Sequence, residues 1–350
     1  IGLSFLGVGV LLFLAMGSFI AWVDKNFLMI GLCLSLSIGL IFPAPGLALK
    51  GVKLGAWGIP QFAVVLIFIL SGVALQSPKE FLQPKALLMG GGFVLFITPL
   101  IGWPILHFFR GYVHLELLQG MALFCAVPTT LSSGVAMVQQ ANGNVPLALF
   151  LTTVTNLAGV FTMPFSMSLI FQASVSIDVM NMLYQLVCLT LLPLGFGMIL
   201  RKASADIEKF AKTYKKTLTK MQNCCIFSVV WLMSSGAQKE IKAMPPGDLL
   251  VCALLACLVH LVYRLGALAA ANLAQLPEKE WVTVVLMCSQ KSLPVCVSVL
   301  SCLPAELQAK TGLLIIPCIM GHFSQLMIDG FLTIRWTIPD EQKKEPLLAS

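Results

Sequence analysis

The chain has 350 residues, of which 58% are hydrophobic and only 11% charged, with a mean hydropathy of +0.92. A soluble domain carries about 25% charged residues, so an ordinary solution fold is excluded and the bilayer is the expected solvent. The net charge of +7 is spread over the segments between apolar runs, which argues against nucleic acid as a partner.

A membrane-crossing helix needs about 20 mostly apolar residues. Runs of that kind cover 2–22, 27–43, 60–76, 86–109, 116–139, 145–172, 180–201, 221–237, 249–272, 281–303 and 310–336. The first lies in an N-terminal hydrophobic segment, 1–26, which is either a further span or what remains of a targeting segment. The other ten form one all-α polytopic body, followed by a polar tail over 337–350. Lys and Arg orient it. Lys25, Lys79, Lys85, the cluster from Arg201 to Lys220, Lys279, Arg335, Lys343 and Lys344 fall on one side, against Lys50, Lys53, Arg110, Lys239, Lys242 and Lys310 on the other. The positive-inside rule puts both ends of the ten-span body on the cytoplasmic-type face.

The first five spans, 27–172, make one half. Its fourth span reads "CAVPTTLSSGVAMVQQ", residues 125–140. Pro128 removes a backbone donor and clashes with the preceding turn, so a break or kink near mid-membrane is predicted. Thr129, Thr130, Ser132 and Ser133 are expected to cap the half-helix that restarts after it. "NG" at Asn142 and Gly143 reads as the turn before the fifth span.

A connecting region, 173–220, follows. It holds the start of the sixth span and "RKASADIEKFAKTYKKTLTK". Ile207, Phe210, Tyr214 and Leu218 share one helical face with Lys on the others, which predicts an amphipathic helix along the membrane surface. The second half, 180–336, also has five spans. Five is odd, so this half enters from the opposite side, as in an inverted repeat.

Its fourth span repeats the interruption as "CSQKSLPVCVSVLS", residues 288–301, with Pro294 as the breaker and Ser289 and Ser292 as caps. Matched interruptions in the two halves are the sequence sign of a midplane binding site in secondary transporters. Two crossing breaks would bring together half-helix N-termini, which favour anions, and C-termini, which favour cations. Lys291 stands inside this patch. A Lys at the bilayer centre costs about 2.5–3.5 kcal/mol, and such residues face the bundle interior or a pathway. Lys291 is expected beside the free carbonyls that end its own half-helix, as a built-in cation able to pair with an anionic substrate. A purely structural Lys291 bonded to carbonyls is the alternative. Arg264 and Asp329 fall at similar depths and are expected to pair. His322 and Gln325 lie one turn apart and are placed to line the core, whereas His260 reads as a hydrogen-bonded packing residue.

The eleven Cys show no paired C-x-x-C spacing and read as small apolar filler. There is no H-E-x-x-H, G-x-S-x-G or P-loop, so catalysis has no sequence support and no cofactor is expected.

The ordered stretches "DKNFLMIGLCLSLSIGLIFPAPG", "FILSGVALQSPKEF", "CAVPTTLSSGVAMVQQANGN", "SQKSLPV" and "HFSQLMID" resemble the bile acid:sodium symporter family, in the branch of plant plastid probable sodium/metabolite cotransporters. The resemblance covers residues 25–336. It implies ten helices in two inverted five-helix repeats, with core and panel domains and crossed broken helices four and nine. It also implies a small organic anion (a carboxylate, or a sterol- or bile-acid-like metabolite) as substrate, Na+ as coupling ion and a plastid envelope as location. Sodium ligands of the implied type are Ser132, Ser133, Thr152 and Asn156. Substrate or ion is expected at these residues together with Thr129, Thr130, Ser289, Gln290, Lys291 and Ser292. Three positions depart from the family pattern: Leu286 stands where a Glu is expected, Val94 where a Gln is, and Lys291 where an Asn is. These departures leave three alternatives to sodium symport: a regulatory protein on a transporter fold, a proton-coupled carrier built on Lys291, or a uniporter. A monomer in the lipid bilayer is expected.

Overall fold

In a computed structural model, residues 20, 22–24, 26–55, 57–75, 83–130, 133–171 and 176–334 are described. Almost all of run 2–22, Ser132 and the tail 337–350 lie outside these residues. The apolar runs within these residues are helices, as their length and hydropathy require, because a backbone in lipid must satisfy its own hydrogen bonds. In chain order they are α1 (Phe27–Ile41), α2 (Pro43–Lys50), α3 (Ile59–Ala74), α4 (Pro84–Phe108), α5 (Leu115–Ala126), α6 (Ser133–Gln140), α7 (Val145–Phe171), α8 (Val179–Ala203), α9 (Ala205–Thr213), α10 (Lys215–Gly236), α11 (Gln238–Ala243), α12 (Pro246–Leu273), α13 (Glu278–Ser289), α14 (Leu293–Ser301), α15 (Ala305–Gln308) and α16 (Thr311–Ile334). Among the described residues, six helical stretches are long and apolar enough to cross a membrane, or seven if the bent pair α1–α2 is one span. The chain is therefore a polytopic helical membrane protein.

Several local features depart from the simple reading. The first body span ends in a 94° bend between α1 and α2. Pro43 and Pro45 suit a helix start rather than a helix interior, so the chain turns there. A two-stranded hairpin, β1 (Lys53–Leu54) with β2 (Trp57–Gly58), follows it. Helices α4 and α8 each contain a π-helical segment, Phe93–Ile97 and Val187–Leu191, two residues before Pro99 and Pro193. The basic loop is not one amphipathic helix. Tyr214 separates α9 from α10, so Ile207 and Phe210 lie on one helix and Leu218 on the next. Leu218 is buried and Ile207 half-buried, while Phe210 and Tyr214 are exposed and their rings lie 4.9 Å apart. The turn at Asn142 and Gly143 forms as predicted, with Asn142 at φ 55°.

The helices pack in two groups. In the first, α1 and α3 lie against α10, and α3 lies against α8. The α3–α8 crossing depends on two glycines: a Cβ at Gly72 would fall 2.2 Å from Leu194 O, and one at Gly197 would fall 2.2 Å from Ile69 O. In the second group, α5, α6, α12 and α14 pack on α16, and α13 packs on α12 with α4, α6 and α7 beside it. The groups meet where α14 packs on α3 and where α10 approaches α16. At that approach a Cβ on Gly312 would fall 2.4 Å from Met233 O and 2.3 Å from Ala237 Cβ. Same-side loops bind one another. Lys310 Nζ donates to Glu116 Oε1 at 2.7 Å and His114 N to Asp248 Oδ2 at 2.9 Å. At the far end, Gln83 Nε2 and Asn144 Nδ2 both donate to Glu280 Oε1, at 2.8 and 2.9 Å.

Candidate functional site: two helix breaks bonded to each other

Both interrupted spans are broken. Helix α5 stops at Ala126, and Val127 is extended (φ −74°, ψ 153°); helix returns at Ser133. Helix α13 stops at Ser289, Gln290 is extended (φ −93°, ψ 145°), and α14 starts at Leu293 with Pro294 in its first turn. Pro128 lies inside its break, whereas Pro294 starts the helix after its break, where a missing N–H carries no penalty.

The breaks are hydrogen-bonded to each other. Ser292 N donates to Pro128 O at 3.0 Å. Thr129 Oγ1 donates to Met287 O in the last turn of α13. Lys291 Nζ donates to Val127 O, just past the end of α5, at 2.7 Å. The Lys291 ammonium therefore does not cap its own half-helix, as expected from sequence, but the opposite one. A cation at a helix C-terminus is favourably placed there as well. Lys291 is fully buried, also donates to Thr98 Oγ1, and lies 5.3 Å from the Tyr263 ring centroid, a cation–π distance. Among the described residues it makes no ion pair.

The other sequence candidates fall around this crossing with roles that differ from simple capping. Thr130 Oγ1 bonds Ser133 Oγ at 2.8 Å rather than a helix N–H, and Thr130 O accepts from Thr152 Oγ1 at 3.2 Å. Ser133 Oγ reaches Gln290 Oε1 at 3.5 Å across the crossing. Asn156 Nδ2 donates to Thr129 O and Thr152 O, at 3.0 and 2.8 Å. Ser289 Oγ bonds back to Val285 O and Leu286 O of its own helix and does not cap α14. Ser292 occupies the N-cap position of α14 but forms no side-chain cap bond. Two buried oxygens near the crossing, Asn156 Oδ1 and Ser292 Oγ, have no partner among the described residues.

Behind the second break stands a buried polar cluster. Asp329 accepts from Arg264 Nη1, from His260 Nε2 at 3.1 Å and, through Oδ2, from Gln290 Nε2 at 2.9 Å. The Arg264–Asp329 pairing expected from depth is present. The His260 Nδ1 edge lies 3.1 Å from Ser289 O, so the imidazole also stands against the end of α13. Thr98, Tyr263 and Val127 were missed as partners of Lys291. The one local signal was the "TP" of "VLFITP", placed just past a π segment, and π segments in helices recur at functional sites.

A polytopic helical protein with two broken helices meeting at buried polar backbone has the architecture of a secondary transporter. The chain belongs to the SBF-like CPA transporter family (DUF4137), whose model matches residues 26–337. It is similar to the probable sodium/metabolite cotransporter BASS4, chloroplastic, of Arabidopsis thaliana, with 31% identity over 332 residues, covering 91% of this chain and 74% of the relative. The protein of the same name from Oryza sativa subsp. japonica is 29% identical over 339 residues, covering 92% and 78%. The uncharacterized protein PA2026 of Pseudomonas aeruginosa is 27% identical over 286 residues, covering 79% and 84%. Family and relatives identify a transporter rather than an enzyme.

Proposed function

We propose that the protein is a secondary active transporter that moves a small organic anion by alternating access, through ten passes in two inverted five-helix halves. The shorter helices α1, α3 and α5–α6 and the less apolar α10 supply the passes beyond the six long apolar stretches, and the same-side contacts of Lys310 with Glu116 and of Asn144 with Glu280 fit that order. The observation that carries the reading is Lys291, an ammonium buried where two broken helices meet and lacking a carboxylate partner among the described residues. Such a group is a fixed counter-charge for an anion arriving at the crossing. Its position at the end of α5 also lets it do locally what a bound cation would do. Leu286 is fully buried and apolar where the family resemblance expects a carboxylate, which supports a fixed cation in place of one coupling ion.

Asn156 Oδ1 favours a second reading of the coupling. It is an acceptor-only atom, buried and unsatisfied beside Thr129 and Thr152, and suits one remaining Na+ travelling with the anion. The names of the plant relatives, sodium/metabolite cotransporter and chloroplastic, support sodium coupling and a plastid location.

The test begins with thermal-shift screening of the purified protein against a panel of organic anions, followed by proteoliposome uptake of those that stabilise it. Saturable, counter-transported uptake is expected in the wild type. Lys291→Met should insert normally and lose that uptake. Wild-type flux in Lys291→Met refutes the role of the ammonium. Replacing Na+ by K+ in the same vesicles decides the coupling.

A further inference from the structure

Residues 289–291 are held one after another from outside their own helix. His260 Nδ1 stands against Ser289 O, Asp329 holds the Gln290 side chain, and Gln325 holds the peptide of Lys291. The third grip differs in kind. Lys291 N donates to Gln325 Oε1 at 2.8 Å, and Gln325 Nε2 donates to Lys291 O at 2.8 Å. Gln290 and Ser292 on either side are both extended (Ser292 φ −90°, ψ 109°), so Lys291 sits in a short extended stretch. A carboxamide offers one donor edge and one acceptor edge, and here it pairs with Lys291 much as a neighbouring strand would. The Lys291 peptide fixes which way round the carboxamide sits, since its N–H needs the oxygen and its C=O the nitrogen; His322 Nδ1 lies 2.8 Å from Gln325 Nε2 and accepts its second N–H in the tautomer protonated at Nε2. His322, Gln325 and Asp329 share one face of α16 at spacings of three and four. All three are buried.

We propose that Gln325 is a positioning residue: its carboxamide clamps the Lys291 peptide and thereby sets where the Lys291 ammonium stands between Val127 O and Thr98. An unclamped extended stretch has freedom about its φ and ψ angles, and the long Lys side chain magnifies any rotation at its root. With both bonds made, the side chain leaves the break in one direction, toward the end of α5. The functional meaning of this clamp rests on the reading of Lys291 as the counter-charge for an anion; its geometry does not.

The experiment uses the full-length protein in lipid nanodiscs with 15N-labelled lysine, read by magic-angle-spinning NMR without any added substrate. Lys291→Met assigns the Lys291 ammonium signal. In the wild type that signal is expected to be distinct and slow to exchange with water. Gln325→Met, which removes both bonds at similar volume, should shift it and speed its exchange by roughly tenfold or more, the factor for losing hydrogen bonds of ordinary net strength. Gln325→Asn keeps the carboxamide but draws it back by one methylene, so its exchange should fall between wild type and Gln325→Met. Ser228→Ala, on the exposed face of α10, serves as control and should leave the signal in place. If Gln325→Met does not fold, Gln325→Asn decides alone. A Lys291 signal with wild-type position and exchange in the Gln325 variants, or a rapidly exchanging one in the wild type, overturns the proposal. Loss or retention of uptake in Lys291→Met does not enter this measurement, so the two readings fail separately.

Discussion

Removing the Asp329 carboxylate should harm the protein less when Arg264 is removed with it. Asp329 is fully buried and accepts from three donors on two other segments: Arg264 and His260 of α12, and Gln290 of the break. Asp329→Leu strips the carboxylate from a guanidinium that is itself only 8% exposed. Breaking a buried ion pair from one side costs about 3–5 kcal/mol, mostly for the charge left behind. The orphaned donors of His260 and Gln290 add about 1–3 kcal/mol each. Arg264→Met in the same background removes the guanidinium that has lost this carboxylate, and the donors of His260 and Gln290 stay behind. Arg264→Met/Asp329→Leu should therefore be more stable than Asp329→Leu, by about 3 kcal/mol. The assay is reversible SDS unfolding in bicelles, followed by tryptophan fluorescence, on wild type, both single variants and the double. If the double variant unfolds at or below the denaturant concentration of Asp329→Leu, this charge argument is wrong.

Two further outcomes follow from the contacts described above. Gly312→Val should force α16 away from α10, since even a Cβ there would meet Met233 O and Ala237, at a cost of about 1–3 kcal/mol to this arrangement; spin labels at Glu240 and Glu306 should move apart in pulsed dipolar spectroscopy. At the membrane surface, the hydrogen bond and charge of Lys220 hold the Asp24 carboxyl below its usual range. A carboxyl depressed in the folded state contributes stability above its unfolded value, and loses it as pH falls through the folded one. Lys220→Met should move the Asp24 titration upward toward the ordinary carboxylate range, read by carboxyl-carbon NMR.

Much of the architecture was legible because bilayer chemistry leaves few options. Long apolar runs must be helices, and Pro128 and Pro294 amid hydroxyls mark where two of them stop. The Arg264–Asp329 pair was legible for a similar reason: two opposite charges at one depth have little else to bind. The bend at Pro43 carried a local signal, "FPAPG", that a count of apolar residues passes over. The partners of Lys291 were not legible. Thr98 and Val127 lie far away in sequence, and which carbonyl the ammonium meets depends on how two half-helices cross. The capping role given to Ser289 failed because a serine in a helix end has its own backbone as a competing acceptor; Ser292 does stand at the N-cap position of α14, but its hydroxyl bonds no helix N–H. The π segments left no composition signal of their own; only the prolines two residues beyond them hint at a loosened turn.

The grips on residues 289–291 have a consequence for how the protein is made. The stretch that contains Lys291 leaves the ribosome before α16, yet His322, Gln325 and Asp329 on α16 satisfy much of its exposed backbone and side-chain chemistry. Until the last helix arrives, a lysine, a glutamine and an opened backbone have no complete set of partners in hydrocarbon, where each orphaned polar group costs several kcal/mol. Nascent chains stopped before residue 311 should thus hold α13 and α14 at the insertion machinery or in water, and release them into lipid only as the final helix enters beside them.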